Sequence, residues 1–448
     1  MLIDSYDGDE MCHDLLAELQ AQMPLSDADA ALAAELAIGV SRNRITCEHL
    51  AAKYYRGRWI GLPVGLRMIV AVGIYQICWL DRIPEYAAVD ESVKMSRRYG
   101  KGAAAVANAV LRHVAEVRGA VIPRADELSA RRFLPLDVDH GRLFTDDVFP
   151  DPSRRPLDHL IAVYAHPPWL VERWHRRFKP ALCRAILAAG QRRPVLALRA
   201  NRLRTNPKAL SEALNGAGIR AEIASDGEGV LIREAAAASK LEAMRAGLCQ
   251  PQDATARVAI RLANPKPGEF VLDLCAGVGT KSTQAAERMD NSGVVLATDI
   301  NTAKLKSIES AADRLGISII GTSPLDELDS AIANLGKRPD VIVVDAPCSN
   351  TGVLARRPEA RYRAGRRSLD EVAEIQAGIL DRAGELAGPN TRIVYSTCSL
   401  EREENEDQVT RFLAGHPEWT AAETLFTLPS ADFDGGFAAL LRRTDMNE

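Results

Sequence analysis

Two cysteines stand where a nucleophile would be useful. The first lies in Asp345-Ala-Pro-Cys348-Ser-Asn-Thr-Gly352, directly after the apolar, β-branched run Val341-Ile-Val-Val344. The second lies in Ser396-Thr397-Cys398-Ser399, directly after Arg392-Ile-Val-Tyr395. Both runs read as fully buried strands of a parallel sheet. In open α/β sheets, ligands bind at the carboxyl ends of the strands. A thiolate at that edge can attack an electrophilic carbon, with the Asp345–Cys348 backbone holding a substrate beside it. Free cysteine is also among the most buried residue types, so packing is the alternative role for either thiol alone. The recurrence of the pattern about fifty residues on, again at a strand end, weighs against packing for the pair.

A third stretch offers a cofactor cradle. Asp273-Leu-Cys275-Ala276-Gly277-Val278-Gly279-Thr280-Lys281 sits between a strand pattern and a helix pattern. Glycines there let the backbone approach a ligand closely, and the helix start favours it. Asp299 ends the next strand pattern, where a carboxylate can take both hydroxyls of a ribose. A nicotinamide site would follow the same logic, and so would a purely structural turn. Asp299 together with Asp345-Ala-Pro-Cys348 favours S-adenosylmethionine.

The elements around these stretches alternate. Strand patterns at Phe270–Leu274, Val294–Asp299, Ile317–Ile320, Val341–Asp345 and Ile393–Thr397 are separated by helical patterns at Lys281–Arg288, Ala303–Leu315 and Leu369–Leu386. The alternation predicts a doubly wound, mostly parallel α/β sheet of the Rossmann-like kind over 263–448. Residues 1–120 read as almost entirely helical from about Met11 to Arg118. Ser26-Asp27-Ala28-Asp29 has the form of a helix start. Leu66–Trp79, apolar nearly all round, has the form of a central bundle helix. Residues 121–156, proline-rich and weakly periodic, read as a linker with a short hairpin near Asp139–Arg142. Residues 157–262 suggest a small α+β module.

That module opens on a local excess of positive charge. Between Arg154 and Lys208 the basic residues include Arg173, Arg176, Arg177, Lys179, Arg192, Arg193, Arg199, Arg202 and Arg204, against Asp158 and Glu172 alone. The chain as a whole carries a net charge of −4, so it is no general sleeve for nucleic acid. The local imbalance predicts an RNA-facing surface. Trp169, Trp174 and Phe178 are interleaved with it, and the tryptophans are expected to pack inward. The acidic N-terminus lacks the apolar region of a signal peptide, and Met68–Leu80 is too short to span a bilayer. The eight cysteines show no C-x-x-C spacing, which speaks against a zinc site or a disulfide framework; no metal is expected. These features fit a reducing cytoplasm.

Several of these motifs together resemble a known family. Val70-Ala-Val-Gly-Ile-Tyr-Gln76, Arg82-Ile-Pro84, Ala87-Ala-Val-Asp-Glu-Ser-Val93 and Asn108-Ala-Val-Leu-Arg112 resemble, in order and spacing, the NusB-like helical domain of RNA-binding proteins. The D-x-C-A turn with its lysine, the D-A-P-C-S turn and the T-C-S turn followed by Glu403-Glu404-Asn405 resemble the RNA cytosine-C5 methyltransferases. The whole chain is similar to the RsmB (Sun/Fmu) family, which methylates a cytosine of small-subunit (16S) ribosomal RNA. Two departures stand out. The family turn reads C-A-A-P-G-G-K-T, whereas this chain has Cys275-Ala-Gly-Val-Gly-Thr-Lys-Ser282. After the third strand the family carries an aspartate near the adenine, and here Gly321-Thr322-Ser323-Pro324 stands in that place.

The resemblance implies S-adenosylmethionine as cofactor, held by Cys275, Ala276, Gly277, Val278, Gly279, Thr280, Lys281, Asp299 and Asp345. It implies Cys398 as the nucleophile on carbon 6 of cytosine and Cys348 as the group that assists loss of the carbon 5 proton. Asp345 would hold the ring nitrogen and exocyclic amine, and Lys281 would support the base or the cofactor. RNA is the expected partner, with no membrane, and a monomer is expected. A non-catalytic RNA-binding or assembly factor with a degraded cofactor turn is the alternative.

Overall fold

The computed structural model describes residues 12–23, 25–124, 130–233, 241–363, 365 and 369–444. The acidic opening stretch through Met11 lies outside the described residues. The chain divides into two compact units: residues 1–193 with 354–366, and residues 194–353 with 367–448. Among the described residues, no helix is long and apolar enough to cross a membrane.

The first unit begins with helices Cys12–Gln22, Asp27–Tyr54, Val64–Trp79, Glu85–Ser96 and Lys101–Val117. Ser26 caps the second of these, its hydroxyl accepting from the Asp29 N–H at 3.2 Å, with Asp27 and Asp29 in the first turn. Val64–Trp79 is the buried centre: Leu66, Ile69, Val70, Ile74 and Ile77 are all in the core. The stretch expected to be a linker holds a three-stranded antiparallel sheet of Val121–Pro123, His140–Leu143 and Phe133–Pro135, in that spatial order. Its anchor is Arg142, a fully buried side chain donating to Cys78 O at 2.7 Å and to Gly119 O at 2.9 Å. Three helices follow, Pro156–Tyr164, Pro168–Arg177 and Pro180–Gln191, each with proline in its first turn. The segment 354–366 belongs to this unit. Its buried Arg361 donates to Ala165 O and Gly190 O, both at 2.9 Å, and Arg42 returns a bond to Ala355 O at 2.9 Å.

The second unit holds two sheets. The smaller is antiparallel, with spatial order Ala221–Ile223, Gly229–Ile232, Leu196–Ala200, Cys249–Pro251. Leu210 and Leu214 of helix Pro207–Gly216 pack on its Leu198, Val230 and Ile232.

The larger sheet has seven strands: β1 (Phe270–Asp273), β2 (Val294–Asp299), β3 (Ile320–Pro324), β4 (Val341–Asp345), β5 (Arg392–Thr397), β6 (Trp419–Thr427) and β7 (Gly436–Arg443). Their order is β3-β2-β1-β4-β5-β7-β6. The first five are parallel, and β7 and β6 add an antiparallel edge. Val341–Val344 of β4 are fully buried because both faces are covered. Helices Leu369–Leu386 and Glu406–Gly415 pack on one face, and Ala254–Ala263, Thr280–Arg288 and Thr302–Leu315 on the other. Each such aliphatic side chain contributes roughly 1.5–3 kcal/mol by its burial. Since β1 to β5 run the same way, Asp273, Asp299, Pro324, Asp345 and Thr397 all end at one edge. β3 differs from expectation, occupying Ile320–Pro324 rather than Ile317–Ile320, with Pro324 in register with Asp299.

Candidate active site

The carboxyl edge of β4 and β5 carries both cysteine turns. Asp345 pairs with Ser396 at the end of the ladder, and the Ala346 N–H donates to Ser396 O at 2.9 Å, one step further. Beyond that, Pro347 has no N–H to continue the ladder. The chain then turns through Asn350, whose φ of 61° is left-handed, a conformation asparagine tolerates better than most residues. Its amide donates to Cys348 O at 2.8 Å. The two turns meet again at Gly352, whose N–H donates to Cys398 O at 2.9 Å. A Cβ at Gly352 would lie 2.5 Å from Gly435 O and 2.9 Å from Cys398 O, so this crossing requires glycine.

This folding brings the Sγ atoms of Cys348 and Cys398 to 3.2 Å. The Cys398 thiol also lies 3.1 Å from Asn350 Oδ1, which accepts from it. The hydrogen bond with Cys398, then burial, then the Cys398 and Glu404 charges push the Cys348 thiol well above its ordinary range. The neutral thiol is the form these surroundings favour at Cys348.

Lys281 and Asp345 form the charged part of the edge, with Nζ 2.6 Å from Oδ2. Ser396 Oγ donates to the other oxygen at 2.9 Å. The Lys281 side chain is 12% exposed and that of Asp345 37%. Burial alone would lower the lysine; the Asp345 carboxylate overcomes this, and the ammonium is held above its usual range. Behind them Asp273 is buried, taking a bond from Ser282 Oγ at 2.6 Å, and burial raises its carboxyl to about 6.

The glycine-containing stretch after β1 forms the strand-to-helix turn expected from sequence. Gly277 (φ 56°) and Gly279 (φ 79°) take left-handed backbone, and a Cβ at Gly279 would meet Ile308 at 2.9 Å. The Asp299 carboxylate organises the turn: Oδ2 accepts from Gly277 N–H at 2.9 Å, and Oδ1 from Asn301 N–H at 2.8 Å. Ala276 is buried and Cys275 packs against the core, while Val278 is 53% exposed. Helix Thr280–Arg288 starts straight from the turn, carrying Lys281 in its first turn.

Several residues of this edge were not singled out from sequence. Ile300, next to Asp299, is 86% exposed, a large apolar side chain with no packing reason to be there. Asp326 is the first carboxylate past the end of β3, in the single turn Leu325–Glu327; only the true end of that strand reveals it. Asn350, Ser349, Ser399, Gln376 and Glu404 form a polar layer under the thiols. Glu404 lies in the noted Glu403-Glu-Asn405 motif, but an acidic residue near a helix start reads as a dipole effect.

The basic segment is corrected in part. Arg192 and Arg199 are buried, and Arg199 is spent on Glu287 at 2.7 Å, so neither is an RNA-facing charge. Arg176 and Arg202 are exposed, with Arg176 3.3 Å from Glu172. Trp174 is in the core, as expected.

Comparison with known proteins agrees with this architecture. The model of 16S rRNA methyltransferase RsmB/F matches residues 260–437, the NusB family model residues 3–116, and the RsmF/B-like ferredoxin-like domain model residues 166–239. The chain is 29% identical to the probable ribosomal RNA small subunit methyltransferase B of Bacillus subtilis, over 90% of this chain and 84% of that one. It is 30% identical to the ribosomal RNA small subunit methyltransferase B of Yersinia pseudotuberculosis, over 92% and 87%. Among solved structures it resembles PH0851 (TM-score 0.73, 22% identity, 95% of this chain and 93% of that chain). It also resembles NSun6 from Pyrococcus horikoshii with SFG (TM-score 0.55, 20% identity, 62% and 98%). At these identities the structural likeness is one of fold. With the near full-length match to the Yersinia enzyme, the chain belongs to the RsmB/F methyltransferase family.

Proposed function

We propose that this protein methylates carbon 5 of a cytosine in small-subunit (16S) ribosomal RNA, with S-adenosylmethionine as cofactor, through a covalent Cys398–cytosine adduct. The observation that carries the reading is the pair of thiols 3.2 Å apart beside the Lys281–Asp345 ion pair, at the carboxyl edge of a parallel sheet. The names of the relatives support the RNA class.

The residues present fit the cofactor. Nothing lies within 4 Å of where a Gly277 Cβ would be, so a ligand can approach that backbone. Asp299 would take the ribose hydroxyls, the exposed Ile300 and Val278 would offer apolar surface to the adenine, and Asp326, just past the end of β3, would be the carboxylate for its amine. When bound, S-adenosylmethionine supplies an electrophilic methyl group.

Carbon 5 of cytosine is a weak nucleophile, and the chain's own groups must change that. The target base leaves its stack to reach the edge. As Cys398 adds to carbon 6, its thiol proton passes to the ring nitrogen, and Asp345 accepts from that N–H and from the exocyclic amine, stabilising the charge that develops. Lys281 pairs with Asp345 at 2.6 Å and balances its charge. Addition makes carbon 5 electron-rich and able to accept a methyl group. The proton on carbon 5 must then leave before the Cys398–carbon 6 bond breaks, and Cys348, in contact with Cys398, assists that step.

The test uses labelled RNA and S-adenosylmethionine on a denaturing gel. Cys398→Ala is expected to give neither methylated RNA nor adduct. Cys348→Ala is expected to transfer the methyl group and then stall, leaving a slow-moving protein–RNA band that vanishes in the double variant. A stable band in Cys398→Ala and none in Cys348→Ala would reverse the roles; full activity of Cys398→Ala would end the adduct reading.

A further inference from the structure

Below the two thiols lies a carboxylate that the reaction as described does not use. Glu404 is 0% exposed. A lone carboxylate in such a place costs several kcal/mol, and it persists only where donors replace water. Here four donors do so. Oε1 accepts from the Ser349 N–H at 2.7 Å and from Gln376 Nε2 at 3.2 Å. Oε2 accepts from the hydroxyls of both Ser349 and Ser399. Ser349 follows Cys348 in the chain, and Ser399 follows Cys398. One carboxylate thus grips the residue next to each thiol.

The surroundings concentrate this grip. The Ser349 and Ser399 hydroxyls are 3.1 Å apart, and Thr351 Oγ1 is 3.2 Å from Ser399 Oγ. Ser399 Oγ also accepts from the Glu401 N–H at 2.9 Å. Gln376 spans from Glu404 to Pro347 O at 2.8 Å, in the turn that holds Cys348. Past the last ladder pair, the backbone ties between the turns are Ala346 N–H to Ser396 O and Gly352 N–H to Cys398 O, one on each side of the cysteines. Between them the turns are tied by Asn350 Oδ1 to the Cys398 thiol at 3.1 Å, by Thr351 Oγ1 to the Leu400 N–H at 2.9 Å, and by Glu404, which holds the residue next to each cysteine.

We propose that Glu404 is a positioning residue that sets the separation of Cys348 and Cys398 by clamping Ser349 and Ser399 together. The proposal rests on the cysteine chemistry given above for its effect on rate, but the clamp is a statement about geometry alone. As a carboxylate it is acceptor-only, which suits four donors converging on two oxygens. Glutamine at 404 keeps the shape and one acceptor for the Ser349 N–H, but it places an amide donor against the two hydroxyls, which must turn round to accept. The charge that holds both is lost. Burial raises the Glu404 carboxyl, so the surrounding donors work against a real desolvation cost.

The test reads thiol separation without reference to methylation. Full-length protein is treated with diamide, whose N=N bond takes the two thiol protons and two electrons to become the hydrazine while a Cys348–Cys398 disulfide forms. Closure is followed by mass spectrometry of the linked peptides. Wild type is expected to close rapidly, and Glu404→Gln at least tenfold more slowly. In methyl transfer, Glu404→Gln is expected to lower kcat at least 100-fold, the scale of a displacement of about 1 Å, with KM for RNA and the Kd for S-adenosylmethionine within twofold of wild type. The Ser349→Ala/Ser399→Ala double variant removes the same clamp from the other side and decides the matter if Glu404→Gln does not fold. Closure at the wild-type rate in these variants overturns the proposal; slowed closure with unchanged kcat overturns the stated effect of the spacing on rate. If Cys398→Ala proves fully active, the adduct reading fails, while the closure rates still decide whether Glu404 sets the spacing.

Discussion

Replacing Asp345 by asparagine keeps the shape of the side chain and removes its charge. The Ser396 Oγ bond at 2.9 Å can survive on the amide oxygen. The amide nitrogen then faces Lys281 in place of Oδ2, donor against donor, so the 2.6 Å bond is lost, and the proposed contact with the protonated base loses its charge. Hydrogen bonds to charged groups contribute about 1.5–3 kcal/mol each. Asp345 is 37% exposed, so solvent screens part of its pairing, and the lower end applies to the lysine. Together the two losses raise the barrier by about 3–5 kcal/mol, or roughly 10²–10⁴ in rate. The measurement is single-turnover transfer of labelled methyl groups to RNA at saturating cofactor, with cofactor affinity determined separately by calorimetry. Lys281→Met and the double variant complete a cycle. If the pair acts as a unit, the second substitution costs less once the first is made, with a coupling of about 1–3 kcal/mol. Independent, additive losses, or an Asp345→Asn rate within threefold of wild type, would refute the assignment of this pair to the transition state.

Asp299→Ala should weaken S-adenosylmethionine binding about 100-fold while the protein stays folded, since two charge-assisted bonds are lost; unchanged affinity by calorimetry removes Asp299 from the site. Arg202→Glu should weaken RNA binding across sequences and reduce the slope of affinity against salt by about one, and a salt series indistinguishable from wild type would make Arg202 a solvated charge only. Burial raises Asp273 to about 6 from 3.8, so its contribution to stability is present below the lower value and is lost as pH rises through the upper one. The difference in unfolding free energy between wild type and Asp273→Asn should therefore shift by about 2 kcal/mol against wild type from pH 4 to pH 7, read by urea unfolding; a constant difference contradicts the burial argument.

The central strands were legible because their chemistry is local. Val341–Val344 and Ile393–Val394 are β-branched runs buried on both faces, and no other element suits them. β3 was misplaced for the opposite reason. Gly321, Thr322 and Ser323 read as a turn, and only pairing with Val295–Asp299 makes them a strand. Its terminal Pro324 is tolerated at the end of an edge strand. The β6–β7 hairpin is likewise a product of docking onto β5, and Thr420–Thr424 carries little pattern of its own. Arg142 and Arg199 show the limit of counting charge. Each looks like a surface cation in sequence, yet each is buried among carbonyl or carboxylate acceptors far away in the chain. The thiols could be found because their context repeats; the Glu404 clamp could not, since its partners Ser349 and Gln376 are distant in sequence.

The altered glycine turn bears on cofactor binding in a way the structure makes concrete. The missing Pro-Gly-Gly matters only if the backbone needs those residues to reach its shape. Here Gly277 and Gly279 alone take the left-handed positions, and both are present. The turn is then fixed from outside: Asp299 holds the Gly277 N–H, Thr298 O accepts from the Ala276 N–H at 2.9 Å, and Ser282 ties the following helix to Asp273. Val278 stands where the side chain is largely in solvent, so it displaces nothing in the core. Asp299 spends one lone pair of each oxygen on its own loop and keeps another on each. Those two remaining sites are the number that a ribose diol requires. If Asp299 holds the ribose as proposed, restoring proline at Val278 should change affinity less than removing that one carboxylate.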